Sequence, residues 1–256
     1  MLPEIASFGP VTIHSYGFLI ALGVLLALVL MSRTAARWGF PPPEKVFDLV
    51  FVTVFAGFVG ARVLYVIQQW SFYRDHWLDV FKIWEGGLIF SGGMLGSFLG
   101  LYFYSRKYRL SFLNSCDLAV TFIPLVHAFG RVGCFLNGCC YGRPCELAWA
   151  VQYPFLTERV HPVQIYEAVF NLGLFGFLIS LYPKRRFAGE ITSLYFIIYS
   201  AIRFLLEYWR GDQQVLFFSL TGQQITVGLF LLAGMVLYAL SRRRNESPAV
   251  SQGKRS

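Results

Sequence analysis

Charged residues are scarce in this sequence, which has 256 residues of which only 14% are Asp, Glu, Lys or Arg. The chain also lacks an internal repeat, a low-complexity block and any nucleotide- or metal-binding motif. Between Tyr16 and Leu240 no polar stretch is long enough to fold separately. A soluble globular domain carries about 25% charged residues, so these absences exclude that class and lead us to expect neither a cofactor nor a metal.

Apolar residues fill the sequence instead: 56% of it is hydrophobic and 18% aromatic, with a mean hydropathy of +0.54. We predict an all-α polytopic membrane protein with about seven transmembrane helices, built as one domain over residues 1–244 with a disordered cytoplasmic tail at 245–256. Each predicted span is near the ~20 residues that a helix needs to cross a bilayer. The predicted spans are 15–32, 46–68, 87–105, 115–136, 163–182, 191–208 and 224–241.

Lys and Arg cluster between alternate apolar segments, at 33–45, 106–109, 184–186 and 242–244. By the positive-inside rule, the N-terminus lies outside and the C-terminus lies in the cytoplasm. The net charge of +8 therefore reflects orientation in a membrane, and no nucleic acid partner is expected. Residues 1–10 contain neither the basic region nor the cleavage site of a signal peptide, so we expect the first span to be retained.

Four cysteines lie close together in the sequence, at Cys134, Cys139, Cys140 and Cys145. Their spacings match neither the Cys-x-x-Cys pair of zinc sites nor a ferredoxin run. A disulfide or plain packing is therefore favoured over a zinc or iron–sulfur site, and no metal is predicted. Most of them lie in the longest outer connection, 137–162, which is expected to form a small external cap.

Arg131 lies in the sequence GRVG at 130–133, at the outer end of the fourth predicted span. A guanidinium inside a membrane is costly unless an anion meets it. A lipid phosphate could approach closely because glycines flank the arginine, and a guanidinium binds phosphate with two parallel hydrogen bonds. The structural alternative is an ion pair with a carboxylate such as Asp117 or Glu167. We favour the phosphate, because intramembrane charges usually mark functional sites.

The sixth predicted span carries Arg203 and Glu207 four residues apart, so the two side chains share a helix face and can form an ion pair. Tyr199 lies one turn earlier on that face. Together they form a polar stripe that is either functional or a structural bridge between helices. Arg62 is a third intramembrane cation, for which a structural role is equally favoured.

Other polar residues mark the ends of the predicted spans. Ser91, Gly92 and Gly93 enter the third span, where paired glycines either expose backbone N–H groups to an anion or, as we favour, allow close helix packing. The mouth of the fifth span carries His161 and Gln164 near Glu167. A single histidine, here or at His14, is more often a capping or packing residue than a proton carrier.

These segments resemble one family, the prolipoprotein diacylglyceryl transferases. The matching pieces occur in the family's order: HSYG at 14–17, GAR at 60–62, the paired glycines of 86–93, GRVGCFLNG at 130–138 followed by Gly142, HPVQIYE at 161–167, and Tyr199 with RFLLE at 203–207.

The resemblance implies that the diacylglyceryl group of phosphatidylglycerol is transferred to the lipobox cysteine thiol of a prolipoprotein signal peptide, with release of glycerol 1-phosphate. It implies no cofactor and a multi-pass location in the bacterial inner membrane, with the active site facing the periplasmic leaflet. The catalytic residues that it implies are Arg131, Arg203, Glu207, Tyr199 and Tyr16. The substrate-binding residues are Arg131, Arg62, Asn137, Gly142, Ser91, Gly92, Gly93, His161, Gln164, Glu167 and His14.

The chain departs from the family pattern at two places. Ser91 stands where many members have a histidine that is often assigned to thiol activation, and serine is no base at neutral pH. Cys134 and Cys139 stand where the family commonly has Asn and an acidic residue. Either a field of arginines lowers the pKa of the substrate thiol, or His161 or Glu207 assists its deprotonation; we hypothesise the field of arginines.

Two other functions fit the same residues. An anion carrier or channel could use the intramembrane arginines, and it would move substrate without covalent transfer. A membrane redox protein could use the cysteines, and it would depend on their thiols.

Overall fold

The structure is a computed structural model that describes residues 2, 4–8, 11–38, 43–82, 86–211, 215–217 and 220–246. From residue 247 onward, the predicted disordered tail lies outside the described residues.

Within the described residues, seven long helices follow the seven predicted spans. They are α1 (Ser15–Trp38), α2 (Pro43–Gln68), α4 (Phe90–Lys107), α5 (Phe112–Asn137), α6 (Val163–Leu181), α7 (Glu190–Leu206) and α8 (Gly222–Glu246). A single turn, α3 (Trp70–Tyr73), follows α2. Helix α2 begins with a proline and has Glu44 in its first turn, which favours helix initiation.

Six of these helices, α1, α2, α5, α6, α7 and α8, are long and apolar enough to cross a membrane, as judged over the described residues. Helix α4 is 18 residues long and contains several glycines and serines, and it ends in Arg106 and Lys107. With these polar and small residues over so short a length, α4 is not among the six. The all-α polytopic class is confirmed, while the orientation of the termini stays a prediction.

The chain divides into two compact units, residues 30–116 and residues 1–29 with 117–256. In the first unit, α2 packs along α4 through small residues. A Cβ added at Gly60 or at Gly92 would collide with the backbone of the facing helix. These glycines therefore serve close helix packing, which is the role that the sequence favoured. That residues 1–244 act as one catalytic domain stays a prediction.

In the second unit, α7 packs against both α6 and α8. Asp117 of α5 anchors the start of α7: its carboxylate accepts hydrogen bonds from the backbone N–H of Gly189 at 2.7 Å, from the backbone N–H of Thr192 at 2.9 Å and from the Thr192 hydroxyl at 2.7 Å. An anion at a helix N-terminus satisfies otherwise unpaired donors and complements the helix dipole. Asp117 is thus a structural cap.

Short antiparallel ribbons complete this unit: β1 (Glu4–Phe8) with β2 (Val11–His14), β3 (Val151–Gln152) with β4 (Arg159–Val160), and β5 (Val215–Phe217) with β6 (Leu220–Thr221). The β3–β4 ribbon lies in the connection between α5 and α6, where a small cap was predicted. An isolated bridge from Pro144 to Val160 and another from Gly142 to Arg210 hold the connection in place. That this cap is external stays a prediction.

Candidate active site

A buried carboxylate on α6, Glu167, is the centre of a polar cluster in the second unit. Glu167 is 2% exposed. Its Oε2 lies 3.0 Å from Nε of Arg131 on α5, and its Oε1 lies 4.0 Å from Nε of Arg203 on α7. Three helices therefore converge through charged side chains, and Glu167 faces both arginines that the sequence singled out.

The two guanidinium groups differ in their surroundings. The Arg203 side chain is 4% exposed and its Nη1 donates to Glu207 Oε2 at 2.6 Å. The Arg131 side chain is 18% exposed, and its Nε lies at ion-pair distance from Glu167 without the N–H direction of a hydrogen bond. Arg131 thus keeps an accessible edge, through which it can meet an additional anion.

Glu207 completes the far side of the cluster. Its Oε2 takes the hydrogen bond from Arg203, and its Oε1 accepts one from the Thr221 hydroxyl at 2.8 Å. The pairing of Arg203 with Glu207 on one helix face is the arrangement that their spacing predicted. Sequence reasoning missed Thr221, the last residue of β6, because nothing in the sequence links it to Glu207 before the chain folds.

Tyr199 and His127 flank Glu167. The Tyr199 hydroxyl lies 3.5 Å from Glu167 Oε1, the His127 Nε2 lies 3.5 Å from the same oxygen, and the two rings are 5.4 Å apart. His127 was absent from the predicted site. Its position four residues before Arg131 on the same helix is the signal that could have found it.

The formal charges of this cluster cancel when His127 is neutral, because two guanidiniums face two carboxylates. A buried charge pair of this kind is stable only with good geometry and complementary charge. A phosphate monoanion that reached the open edge of Arg131 could bind with two parallel hydrogen bonds. The structure therefore shows the structural alternative, the ion pair of Arg131 with Glu167, while phosphate binding by Arg131 stays a prediction.

Three cysteines meet beside the cluster, at the end of α5. The Sγ atoms of Cys134, Cys139 and Cys140 lie within 4.8 Å of one another, and all three are free thiols. Arg131 interacts electrostatically with Cys134 and Cys140. A hydrogen bond with the Cys134 thiol, together with the charges of nearby arginines, lowers the pKa of Cys140, whereas burial raises the pKa of Cys139. Cys145 is also free but is not part of this group.

Tyr16 and Gln164 border the cysteines. Tyr16 on α1 interacts electrostatically with Arg131 and with the three thiols, and 44% of its surface is exposed. Gln164 is buried, and its Nε2 donates to the Cys139 carbonyl at 2.6 Å and to the Tyr153 hydroxyl at 3.0 Å. Gln164 therefore holds the cysteine loop by its backbone.

Gly142 and His161 lie in the following loop and stabilise it. The Gly142 N–H donates to the His161 carbonyl at 2.9 Å, and the His161 N–H donates to the Arg143 carbonyl at 3.0 Å. A Cβ at Gly142 would press on the Trp209 carbonyl. The other two predicted residues of this unit, Asn137 and His14, have exposed side chains.

The remaining predicted residues belong to the first unit. All five N–H groups of Arg62 are used by backbone carbonyls, with Nε on Val80 at 2.9 Å, Nη1 on Gly86 and Gly87, and Nη2 on Asp79 and Lys82. This geometry supports the structural role of Arg62 and leaves substrate binding by it a prediction.

Ser91 is exposed in the first turn of α4, and Gly92 and Gly93 face α2. A role for these three residues in substrate binding stays a prediction.

Comparison with known proteins gives one consistent result. A family described as prolipoprotein diacylglyceryl transferase matches residues 3–240. The chain is 31% identical to the phosphatidylglycerol–prolipoprotein diacylglyceryl transferase of Clostridium tetani, over 96% of this chain and 100% of that protein. It is 35% identical to the protein of the same name from Synechocystis, over 94% and 90%, and 33% identical to that from Geobacillus kaustophilus, over 94% and 93%.

Proposed function

The chain belongs to the prolipoprotein diacylglyceryl transferase family, and we propose that it transfers the diacylglyceryl group of phosphatidylglycerol to the lipobox cysteine of a prolipoprotein. The cysteine sulfur forms a bond to the glycerol carbon, and the bond from that carbon to the phosphate oxygen breaks. Glycerol 1-phosphate leaves, and the thiol proton passes to the phosphate or to solvent. The family match supports this transferase reaction. It does not support the carrier or the redox alternative.

The observation that carries the proposal is the convergence of Arg131 and Arg203 on the buried Glu167. Phosphatidylglycerol is an anionic lipid, and the reaction develops charge on the phosphate oxygen that leaves. We assign the accessible edge of Arg131 to that phosphate. A preorganised donor in a site shielded from water stabilises such charge by roughly 10²–10³-fold in rate.

Arg203, Glu207 and Tyr199 have supporting catalytic roles in this proposal. Glu207 fixes the orientation of Arg203 through their 2.6 Å contact. Arg203 supplies positive charge to Glu167 from α7, and it is the more buried of the two arginines. The hydroxyls of Tyr199 and of the half-exposed Tyr16 can donate hydrogen bonds to the lipid headgroup when the lipid phosphate binds beside Glu167.

The loop after α5 is the proposed site of the lipobox peptide. Asn137 and His161 line the segment, and Gly142 and Gln164 keep its backbone in place. The placement in a bacterial inner membrane, with this loop facing the periplasm, is supported by the positive-inside pattern of the basic clusters. A substrate that is an exported prolipoprotein would meet the site on that side.

The test is direct chemistry with the full chain. Purified protein in phosphatidylglycerol vesicles is mixed with a lipobox peptide, and the peptide mass is followed. The proposal predicts the mass of one diacylglyceryl thioether on the cysteine, and no gain on a matched peptide with serine in its place or in phosphatidylcholine vesicles. Absence of product under conditions in which an active homologue gives product would contradict the proposal.

A further inference from the structure

The three thiols at the end of α5 have the spacing of a metal site. One Sγ from each of Cys134, Cys139 and Cys140 lies within 4.8 Å of the other two. Zinc bound by thiolates has Zn–S distances of about 2.3 Å in a tetrahedron, which places neighbouring sulfurs roughly 3.8 Å apart. Small side-chain rotations would therefore bring all three sulfurs onto one ion.

The backbone is shaped to bring these thiols together. Cys134 lies in the last turn of α5, and the Cys139 N–H donates to the Cys134 carbonyl at 3.1 Å. Gly138 has a φ of +73° and Cys140 a φ of +64°. A left-handed conformation is costly for a residue other than glycine and tends to persist at functional sites. The two reversals turn the chain back on itself, so that the third thiol faces the other two.

The loop is also held from outside. Gln164 Nε2 donates a hydrogen bond to the Cys139 carbonyl at 2.6 Å. Gly142 lies so close to the Trp209 carbonyl and the Val163 side chain that a Cβ there would collide with both. A site whose backbone is fixed in advance loses little conformational entropy when it binds an ion. The thiols are therefore preorganised and are not merely neighbours in sequence.

The surrounding charge suits a thiolate–zinc group. Three thiolates and one Zn²⁺ carry a net charge of −1, and two arginines, Arg131 and Arg210, act electrostatically on Cys140. Among the described residues, no fourth histidine, cysteine or carboxylate joins the group. Structural zinc sites usually have four protein ligands, whereas catalytic sites have three and keep the fourth position open.

We propose that Cys134, Cys139 and Cys140 bind one zinc ion whose fourth position takes the lipobox thiol of the prolipoprotein. This proposal rests on the proposed function. A thiol that coordinates zinc loses its proton, here to solvent, and the resulting thiolate attacks the glycerol carbon. The product sulfur is a neutral thioether, a weaker ligand than a thiolate, and it leaves the ion.

This site accounts for both departures from the family pattern. A metal that activates the thiol removes the need for a histidine at Ser91, and thiolate ligands give Cys134 and Cys139 a role. The field of arginines is a weaker source of activation, because Glu167 and Glu207 offset the charges of the two arginines that they face.

The first experiment measures metal content. The full chain, purified in detergent without added chelator, should carry one zinc per chain by plasma mass spectrometry. Each of the substitutions Cys134→Ser, Cys139→Ser and Cys140→Ser should lower the zinc content to roughly one-tenth, because each removes one of three ligands. Cys145→Ser is the matched control and should keep its zinc. A zinc-free wild-type chain with a disulfide among the three cysteines would overturn the proposal, as would equal zinc in all variants.

The second experiment tests the open position with Co²⁺ in place of zinc. Sulfur-to-cobalt charge transfer and tetrahedral d–d bands are expected in the wild-type chain, and a lipobox peptide should intensify the charge-transfer band where its serine counterpart does not. An unchanged spectrum would overturn the substrate-binding role.

The two proposals fail in different ways. A spectral response to the peptide without thioether product would contradict the transferase and leave the metal site standing. Thioether formation at full rate by a metal-free chain would contradict the metal site and leave the transferase standing.

Discussion

Replacing Glu167 by Gln is expected to destabilise the protein strongly, and phosphatidylglycerol should reverse much of the loss. The substitution keeps the shape of the side chain and one acceptor oxygen but removes the negative charge. That charge faces Arg131 at 3.0 Å and Arg203 at 4.0 Å. Without that charge, the positive charges of the two buried guanidinium groups are less well neutralised. Only Arg203 still has a second carboxylate as a partner.

The magnitude follows from the burial of the group. Breaking a buried ion pair by removing one partner costs about 3–5 kcal/mol, and the lower end applies here because the Arg131 side chain is 18% exposed and can recruit water. For a chain of this size, 1 kcal/mol corresponds to about 2–4 °C in melting temperature. The expected decrease is therefore roughly 6–12 °C.

The assay is thermal unfolding in a neutral detergent, first without lipid and then with increasing phosphatidylglycerol. The lipid phosphate at the accessible edge of Arg131 can supply the missing negative charge, so the variant should gain more stability from phosphatidylglycerol than the wild-type chain does, and little from phosphatidylcholine. The exposed Glu146→Gln is the matched control and should melt like the wild-type chain. A decrease below about 2 °C would refute the reasoning that Glu167 neutralises buried arginines.

Three further predictions concern residues that hold helix ends and loops in place within one unit or the other. Asp117→Asn should lower the melting temperature by several degrees, since the carboxylate holds the start of α7 through Gly189 and Thr192, and hydrogen exchange should rise in the first turn of α7. Gly142→Ala should lower transfer more than Gly17→Ala, whose Cβ meets nothing; equal transfer rates in the two variants would contradict the packing argument. Arg62→Lys should expose residues 79–82 and 86–87 to limited proteolysis, because one ammonium cannot reach five carbonyls, and an unchanged cleavage pattern would count against that role.

Much of the fold followed from the sequence because helix length and apolarity are local properties. All seven predicted spans lie on helices, but their ends differ by a few residues. Helix α1, for example, continues to Trp38 past the apolar run. Helix hydrogen bonds continue into polar sequence when no proline or glycine stops them. Helix α4 is rich in glycines, and their role in packing becomes evident only when the facing helix is in place.

The site was predictable where it depends on one helix and not where it depends on several. The spacing of Arg203 and Glu207 fixed their pairing in advance. The partner of Arg131 was left open between Asp117 and Glu167, although Asp117 lies on the same helix about 21 Å away along its axis. Only Glu167, on another helix, can reach Arg131. The hydrogen bonds of Arg62 to backbone carbonyls were equally unpredictable, since every residue has a backbone carbonyl and the sequence does not show which of them face Arg62. The convergence of three thiols required the left-handed turn at Cys140.

The most direct test of the phosphate site is the rate of diacylglyceryl transfer by an Arg131→Lys variant. Lysine keeps the positive charge but loses the planar fork that binds phosphate with two hydrogen bonds. The measurement is kcat/KM for phosphatidylglycerol with a saturating lipobox peptide, alongside the melting temperature of each chain. We predict a loss of roughly 10²–10³-fold with a nearly unchanged melting temperature. A variant that transfers within about threefold of the wild-type rate would contradict the assignment of Arg131 to the lipid phosphate.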